Sequence, residues 1–235
     1  MGRIFEKRKH KMFARFDKMA KAFTRIGKDI AIAVKQGGPN PDNNPKLRMA
    51  IQNAKGVNMP KDRVENAIKR ASSKEEKDYQ EVVYEGYAPH GVPVLVVAAT
   101  DNPTRTVANV RLHFSKGGGS MGNSGSVSFM FEHRGVFKFD PAKLNLDELE
   151  LDLIDAGAED IQRDEEETIV YTKFVDFGQM AKFLESKGLE AKSSELQYVP
   201  TTTKELPEDQ QDEVLKLIET LEGDDDVQNV FHNLA

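Results

Sequence analysis

The chain has 235 residues, 38% hydrophobic and 31% charged, with 33 Lys+Arg against 39 Asp+Glu and a formal net charge of -6. Its length allows one large domain or two to three small ones, and its composition is that of a soluble globular chain. With no Cys, disulfide frameworks, thiolate metal sites and a Cys nucleophile are excluded.

The net charge conceals an asymmetry. Residues 1–70 hold 18 Lys+Arg and 6 Asp+Glu, a balance of +12, which leaves -18 on residues 71–235. The longest apolar run, Val92 to Ala99, is too short to span a bilayer. No apolar stretch of signal-peptide type follows the basic residues from Arg3 onward, so a cytoplasmic chain without a membrane partner is expected.

From Lys11 to Gln36 the residues Met12, Phe16, Met19, Phe23, Ile26, Ile30 and Val34 recur at three- and four-residue steps, which predicts an amphipathic helix ended by Gly37 and Gly38. On the helical wheel Lys11, Arg15, Lys18, Lys21, Arg25, Lys28 and Lys35 fall opposite that stripe. Asn44-Pro45 starts a second helix, with Leu47, Ile51 and Ala54 inside and Gly56 at its end. Pro60 opens a third, to residue 72, burying Val64, Ala67, Ile68 and Ala71. The outer faces of this pair carry Lys46, Arg48, Lys55, Lys61, Arg63, Lys69 and Arg70.

Such rows of cations displace counterions from a phosphate backbone, although they also occur as plain solvated helix faces. The size of the excess and the preceding cluster Lys7-Arg8-Lys9-His10-Lys11 favour nucleic acid. The expected contact residues are Lys7, Arg8, Lys9, Lys11, Arg15, Lys18, Lys21, Arg25, Lys28, Lys46, Arg48, Lys61 and Arg63. The short pair around Gly56–Met59 resembles a helix-turn-helix, but its second helix lacks a set of side chains for reading base edges, so a plain helical bundle is the better reading.

Residues 73–78 are polar and read as a linker. Strands follow at Val82–Tyr87 and Val92–Thr100 around Pro89-His90-Gly91, then a helix capped by Asp101-Asn102-Pro103 with Val107, Val110 and Phe114 inside. A Gly-rich stretch, Gly117 to Gly125, leads to a predicted strand at Ser126–Phe131. The elements after Gly135 are predicted as strand 135–139, helix 146–156, strand 158–163, strand 168–173, helix 177–187 and strand 191–199, the β-α-β-β-α-β order of a ferredoxin-like unit. A helix at 207–222 and a strand at 227–232 remain without a unit of their own. The expected fold is therefore α+β, with a three-helix domain (1–75), a discontinuous α/β domain (79–132 plus 207–235), and a ferredoxin-like α/β domain (133–206) inserted into it.

Gly117 to Gly122 satisfies G-x-G-x-x-G, yet it follows a helix and opens a strand, the reverse of a dinucleotide fingerprint, and no Walker Lys-Ser/Thr follows. Two readings stay open: a connection needing positive φ, or a loop whose N–H groups meet phosphate. In the second, Arg105, Arg111 and Lys116 join Gly117, Gly118 and Gly119 as contacts. His10, His90, His113, His133 and His232 lack metal-ligand spacing. The acidic runs Asp164–Glu167 and Asp224–Asp226 fall at turns. Ser126 and Ser128 have no His or Asp partner, so no catalysis, cofactor or metal is expected.

Several segments carry a family resemblance: Gly38-Pro-Asn-Pro-Asp42 with Asn44-Pro-Lys-Leu-Arg48, Asn58-Met-Pro-Lys-Asp62, Tyr84-Glu-Gly-Tyr87, Thr100-Asp-Asn102 with Arg105-Thr106, Gly125-Ser-Val-Ser-Phe-Met-Phe131, and Asp225-Asp-Val-Gln-Asn-Val230. In these the chain resembles the YebC family, which includes the mitochondrial translational activator of cytochrome oxidase subunit I. The start departs from the family pattern, with Gly2-Arg-Ile-Phe-Glu6 and Lys7-Arg-Lys-His-Lys11 in place of Gly-His-Ser-Lys-Trp and Lys-His-Arg-Lys. The resemblance implies three domains and a cytoplasmic, non-enzymatic regulator of gene expression that binds DNA. The alternatives are a ribosome-associated translation factor meeting ribosomal RNA and relieving stalls at proline-rich sequences, and a scaffold whose basic helix docks on an acidic partner.

Overall fold

The computed structural model describes residues 3–73, 78–142 and 146–235, with side chains from residue 19 onward except at 146 and 147. It falls into two units, Met1–Tyr79 and Gln80–Ala235.

In the first unit, helix α1 spans Arg3–Gly37 and begins eight residues before the predicted start. Apolar periodicity opens only at Met12, but Glu6 to Lys11 is rich in good helix formers, which extend a helix without an apolar stripe. Helices α2 (Pro45–Gly56) and α3 (Lys61–Ala71) pack on α1. Their shared core is Ile26, Ile30, Val34, Leu47, Ala54, Val64 and Ala67, with small residues between them. Buried Asn44 ties the first corner: its Oδ1 accepts from Leu47 N (3.1 Å), and its Nδ2 donates to Ala33 O (2.7 Å) and Gly38 O (2.9 Å). One side chain thus caps α2 and fixes it to the end of α1.

The second unit holds two four-stranded sheets. In the first, β1 (Gln80–Ala88) pairs with β2 (Val92–Thr100) along its whole length. After α4 (Pro103–Lys116), the short β3 (Ser120–Met121) adds to the outer edge of β1. The last strand, β8 (Val227–His232), lies antiparallel on β2, giving the order β3-β1-β2-β8. As an inner strand, β2 is buried on both faces, which explains its unbroken apolar run. Val94, Val96 and Ala98 pack with Phe114 of α4 and with Val214, Leu217 and Leu221 of α7 (Glu208–Glu222).

The second sheet is built from β4 (Phe131–Phe139), α5 (Leu146–Asp155), β5 (Ala158–Arg163), β6 (Thr168–Lys173), α6 (Phe177–Ser186) and β7 (Ser193–Pro200). Its order is β5-β6-β4-β7, antiparallel throughout, the ferredoxin-like arrangement. The fold class is α+β.

The strand predicted at 126–131 does not form. Residues 122–130 are a loop containing a one-turn 3-10 helix at Ser128–Met130, and extended pairing starts only at Phe131, in the second sheet. The alternation Val127, Phe129, Phe131 imitates a half-buried strand, but Val127 and Phe131 are buried while Phe129 is 75% exposed. The backbone N–H groups that a strand would give to a neighbour are given to a side chain instead.

Candidate nucleic-acid interface

The cations expected on the helical unit divide three ways. Lys21, Lys46, Lys61 and Arg63 are exposed, as are Lys55, Lys69 and Arg70. Lys46 Nζ donates to Gln36 Oε1 (2.8 Å), Lys61 Nζ lies 3.6 Å from Glu65, and the Arg63 guanidinium sits 5.5 Å from the Phe23 ring centre. Exposed contacts of this kind are weak and leave the charge facing solvent. Arg25 is half-buried.

Two expected contacts turn inward. Arg48 Nη1 donates to the carbonyls of Pro41 and Asp42, both at 2.8 Å, and braces the turn before α2. Lys28, placed by the wheel on the solvent side, is 8% exposed, its ammonium 5.5 Å from the ring centre of Tyr79. Residues 78 and 79 lie along this flank of α1, where Asp78 also pairs with Lys35 (3.1 Å). The wheel gives a residue's direction but not what another segment lays over it, so Lys28 is corrected from a surface contact to a packed residue. The side chains of Lys7, Arg8, Lys9, Lys11, Arg15 and Lys18 lie outside the described residues.

The Gly-rich stretch closes α4. The N–H groups of Gly117, Gly118 and Gly119 donate to the carbonyls of His113, Ser115 and Phe114 at 2.9, 3.3 and 2.8 Å. Gly118 has φ +74, and a Cβ on Gly119 would stand 2.5 Å from the Tyr87 carbonyl oxygen. These glycines therefore turn the chain and let it pass close to β1. Their backbone donors are engaged within the helix end, which removes the phosphate cradle that the sequence left open.

Arg105 is drawn elsewhere. Its Nη2 donates to Asp101 Oδ1 (2.9 Å) and Asp226 Oδ2 (2.7 Å), and these two carboxylates raise its pKa. Thr106 Oγ1 adds bonds to Asp226 Oδ2 (2.8 Å) and Thr100 Oγ1 (2.7 Å). The segments around Thr100 and Asp226 thus meet, fastening the start of α4 to the entry of β8. Arg105 and Gly117 stand about 18 Å apart along the helix, so they form no common site. Arg111 and Lys116 are exposed on α4.

Sequence reading missed Glu85. Only 6% exposed, its carboxylate accepts from Gly125 N (2.7 Å) at Oε1 and from Val127 N (2.8 Å) and Ser128 N (2.9 Å) at Oε2. Burial opposes its ionisation, but these donors and the Ser128 hydroxyl outweigh burial and hold its pKa below the ordinary glutamate range. Tyr87 Oη donates to Ser126 O (3.2 Å) beside it. The pieces Tyr84–Tyr87 and Gly125–Phe131 are therefore one structure, a carboxylate on a strand organising a loop. A lone acid between two tyrosines in a strand, followed by a segment rich in small residues with free N–H groups, was the available signal.

Comparison with known proteins covers the chain. Residues 3–74 match the family model described as the TACO1/YebC protein N-terminal domain, and residues 79–234 match the TACO1/YebC second and third domain. A "probable transcriptional regulatory protein" of Anaeromyxobacter dehalogenans is 59% identical over 240 residues, covering 100% of both chains. Proteins of the same name from Myxococcus xanthus and Cytophaga hutchinsonii are 57% and 56% identical, covering 100% of this chain and 100% and 99% of theirs. The crystal structure of a conserved hypothetical protein from Aquifex aeolicus superposes with a TM-score of 0.82 at 40% identity, over 92% of this chain and 90% of that one.

Proposed function

The chain belongs to the TACO1/YebC family, and on that premise we propose that it is a nucleic-acid-binding regulator of gene expression whose basic helical domain grips DNA. The carrying observation is the balance of +12 in residues 1–70, with Lys21, Lys46, Lys61 and Arg63 exposed on the helical unit. Rigid helices present such charges at fixed spacing, so phosphates are met without reordering the protein. The names of the relatives, probable transcriptional regulatory proteins, support DNA as the target. In this reading residues 1–75 bind the backbone, while the α/β domains, 79–132 plus 207–235 and the inserted 133–206, supply shape or partner recognition.

A second reading has its own observation. The balance of -18 on residues 71–235 repels a long duplex polyanion over most of the body. A ribosome, with basic protein among its RNA, suits a molecule charged in this way, so a translation factor meeting ribosomal RNA is the alternative.

The test is the salt dependence of binding to random-sequence duplex DNA. Each phosphate contact contributes about -0.9 to the slope of log K against log salt, so a steep negative slope is expected, and a flat one overturns the footprint. Crosslinking in cells separates the two readings: excess ribosomal RNA over DNA overturns the transcriptional one.

A further inference from the structure

Residues 117–131 contain no charged residue, in a chain that is 31% charged, and they carry an exposed aromatic ring, Phe129. Phe129 is 75% exposed, although both flanks of its loop are fixed. On one side Val127 is fully buried and the N–H groups of Val127 and Ser128 are bound by the Glu85 carboxylate. On the other, the Met130 carbonyl accepts from Thr201 N (3.0 Å) and Thr201 Oγ1 (3.1 Å), and Phe131 is buried. Val127, Leu95, Phe131, Tyr87, Met130, Tyr198 and Phe231 form the apolar cluster beneath. The loop buries the neighbours at 127 and 131 and leaves 129 outside.

We propose that Phe129 is a stacking anchor for an unpaired nucleobase, a second nucleic-acid contact on the body in addition to the basic helices. A ring held on a rigid loop loses little freedom on binding, and every base offers it a π-face regardless of sequence. The choice of a base over an apolar protein pocket rests on charge. The rest of the body is strongly acidic, whereas this segment carries no charge of its own, which lets a polyanion come close, and its exposed Asn123 and Ser124 offer small polar groups to a base edge. The proposal rests on the nucleic-acid reading above and narrows it: single-stranded segments, not only duplex backbone, are bound.

The chain has no Trp, so Phe129→Trp creates a single reporter at the site. The full-length protein is titrated with a short single-stranded oligonucleotide of mixed sequence, supplied once as RNA and once as DNA, with affinity read from a label on the oligonucleotide. Phe129→Trp should keep the affinity of the natural chain and show quenched emission at saturation. Phe129→Ala should weaken binding about tenfold with an unchanged salt slope, since no charge is lost, and with unchanged thermal unfolding. A loss in the RNA arm alone identifies RNA as the ligand, and a comparable loss in both identifies any unpaired strand. Equal affinity of Phe129→Ala and the natural chain in both arms, or Trp emission unmoved at saturation, overturns the stacking anchor and leaves the ring to a protein partner. If the natural chain binds neither single strands nor duplex, the nucleic-acid reading itself falls, and the two failures are thereby told apart.

Discussion

In the helical unit the charges largely stay outside, whereas in the α/β body several of the carboxylates do structural work. Lys21, Lys46, Lys61 and Arg63 face solvent on a core of small and aliphatic residues that makes no use of them. In the body, Glu85 at 6% exposure gathers a loop and Asp226 at 7% fastens α4 to β8. A segment's net charge therefore describes its surface only when its charges are on the surface. Among the described cations of the first 70 residues, Lys21, Lys46, Lys61 and Arg63 face solvent, while in the remainder the carboxylates of Glu85 and Asp226 are engaged by backbone donors and by Arg105 inside the fold.

The largest expected effect tests the helical side of this contrast. Reversing Lys21, Lys46, Lys61 and Arg63 to Glu should lower duplex affinity by about 10³-fold near 0.1 M salt, with the thermal transition nearly unmoved. Filter binding beside calorimetry checks it, and a collapsed transition with intact affinity would invert the assignment.

The body should respond in the opposite way. Glu85→Ala leaves three N–H groups, that of Val127 buried and those of Gly125 and Ser128 part-buried, without their acceptor and is expected to cost about 3 kcal/mol of stability, measured by urea unfolding, while duplex affinity changes little. Its pH dependence has a definite sign. The folded-state pKa of Glu85 is lowered, so its contribution is complete above the ordinary glutamate range and is lost as pH falls through that range toward the folded value. Glu85→Gln should therefore flatten the acid limb of the stability profile; an unchanged limb would show that the carboxylate is not ionised in its cradle.

The smallest effect, Lys28→Glu, falls where the contrast breaks down within the helical unit. Placing an acid beside Tyr79 in a packed site should cost about 2 kcal/mol, with the loss in the helical unit's own unfolding transition. The same reversal at Lys21 should be neutral for folding, and equal behaviour of the two would mean that the flank of α1 is not covered.

Much of the fold was legible because its signals are local. The strands at 158–163, 168–173 and 227–232 and the helix at 208–222 follow from period and breakers that neighbouring residues carry. The failures share one cause, a partner distant in sequence. Residues 126–130 alternate as a strand does, but Glu85, some 40 residues earlier, holds their N–H groups. Lys28 has the spacing of a surface cation, but Tyr79 covers it. The glycines at 117–119 are a different case: the sequence left a turn and a phosphate loop both open, and the structure places their donors on carbonyls only three to five residues back, at the end of α4.

By itself, then, the sequence determined the α+β class, the order of elements, and the uneven division of charge near residue 70, because periodicity, capping and composition act over a few residues. Which charges remain available, and which aromatic ring is left outside, only the tertiary structure decided. Burial depends on what a distant segment lays across a face, and a lone carboxylate inside the body changes role once three backbone donors converge on it.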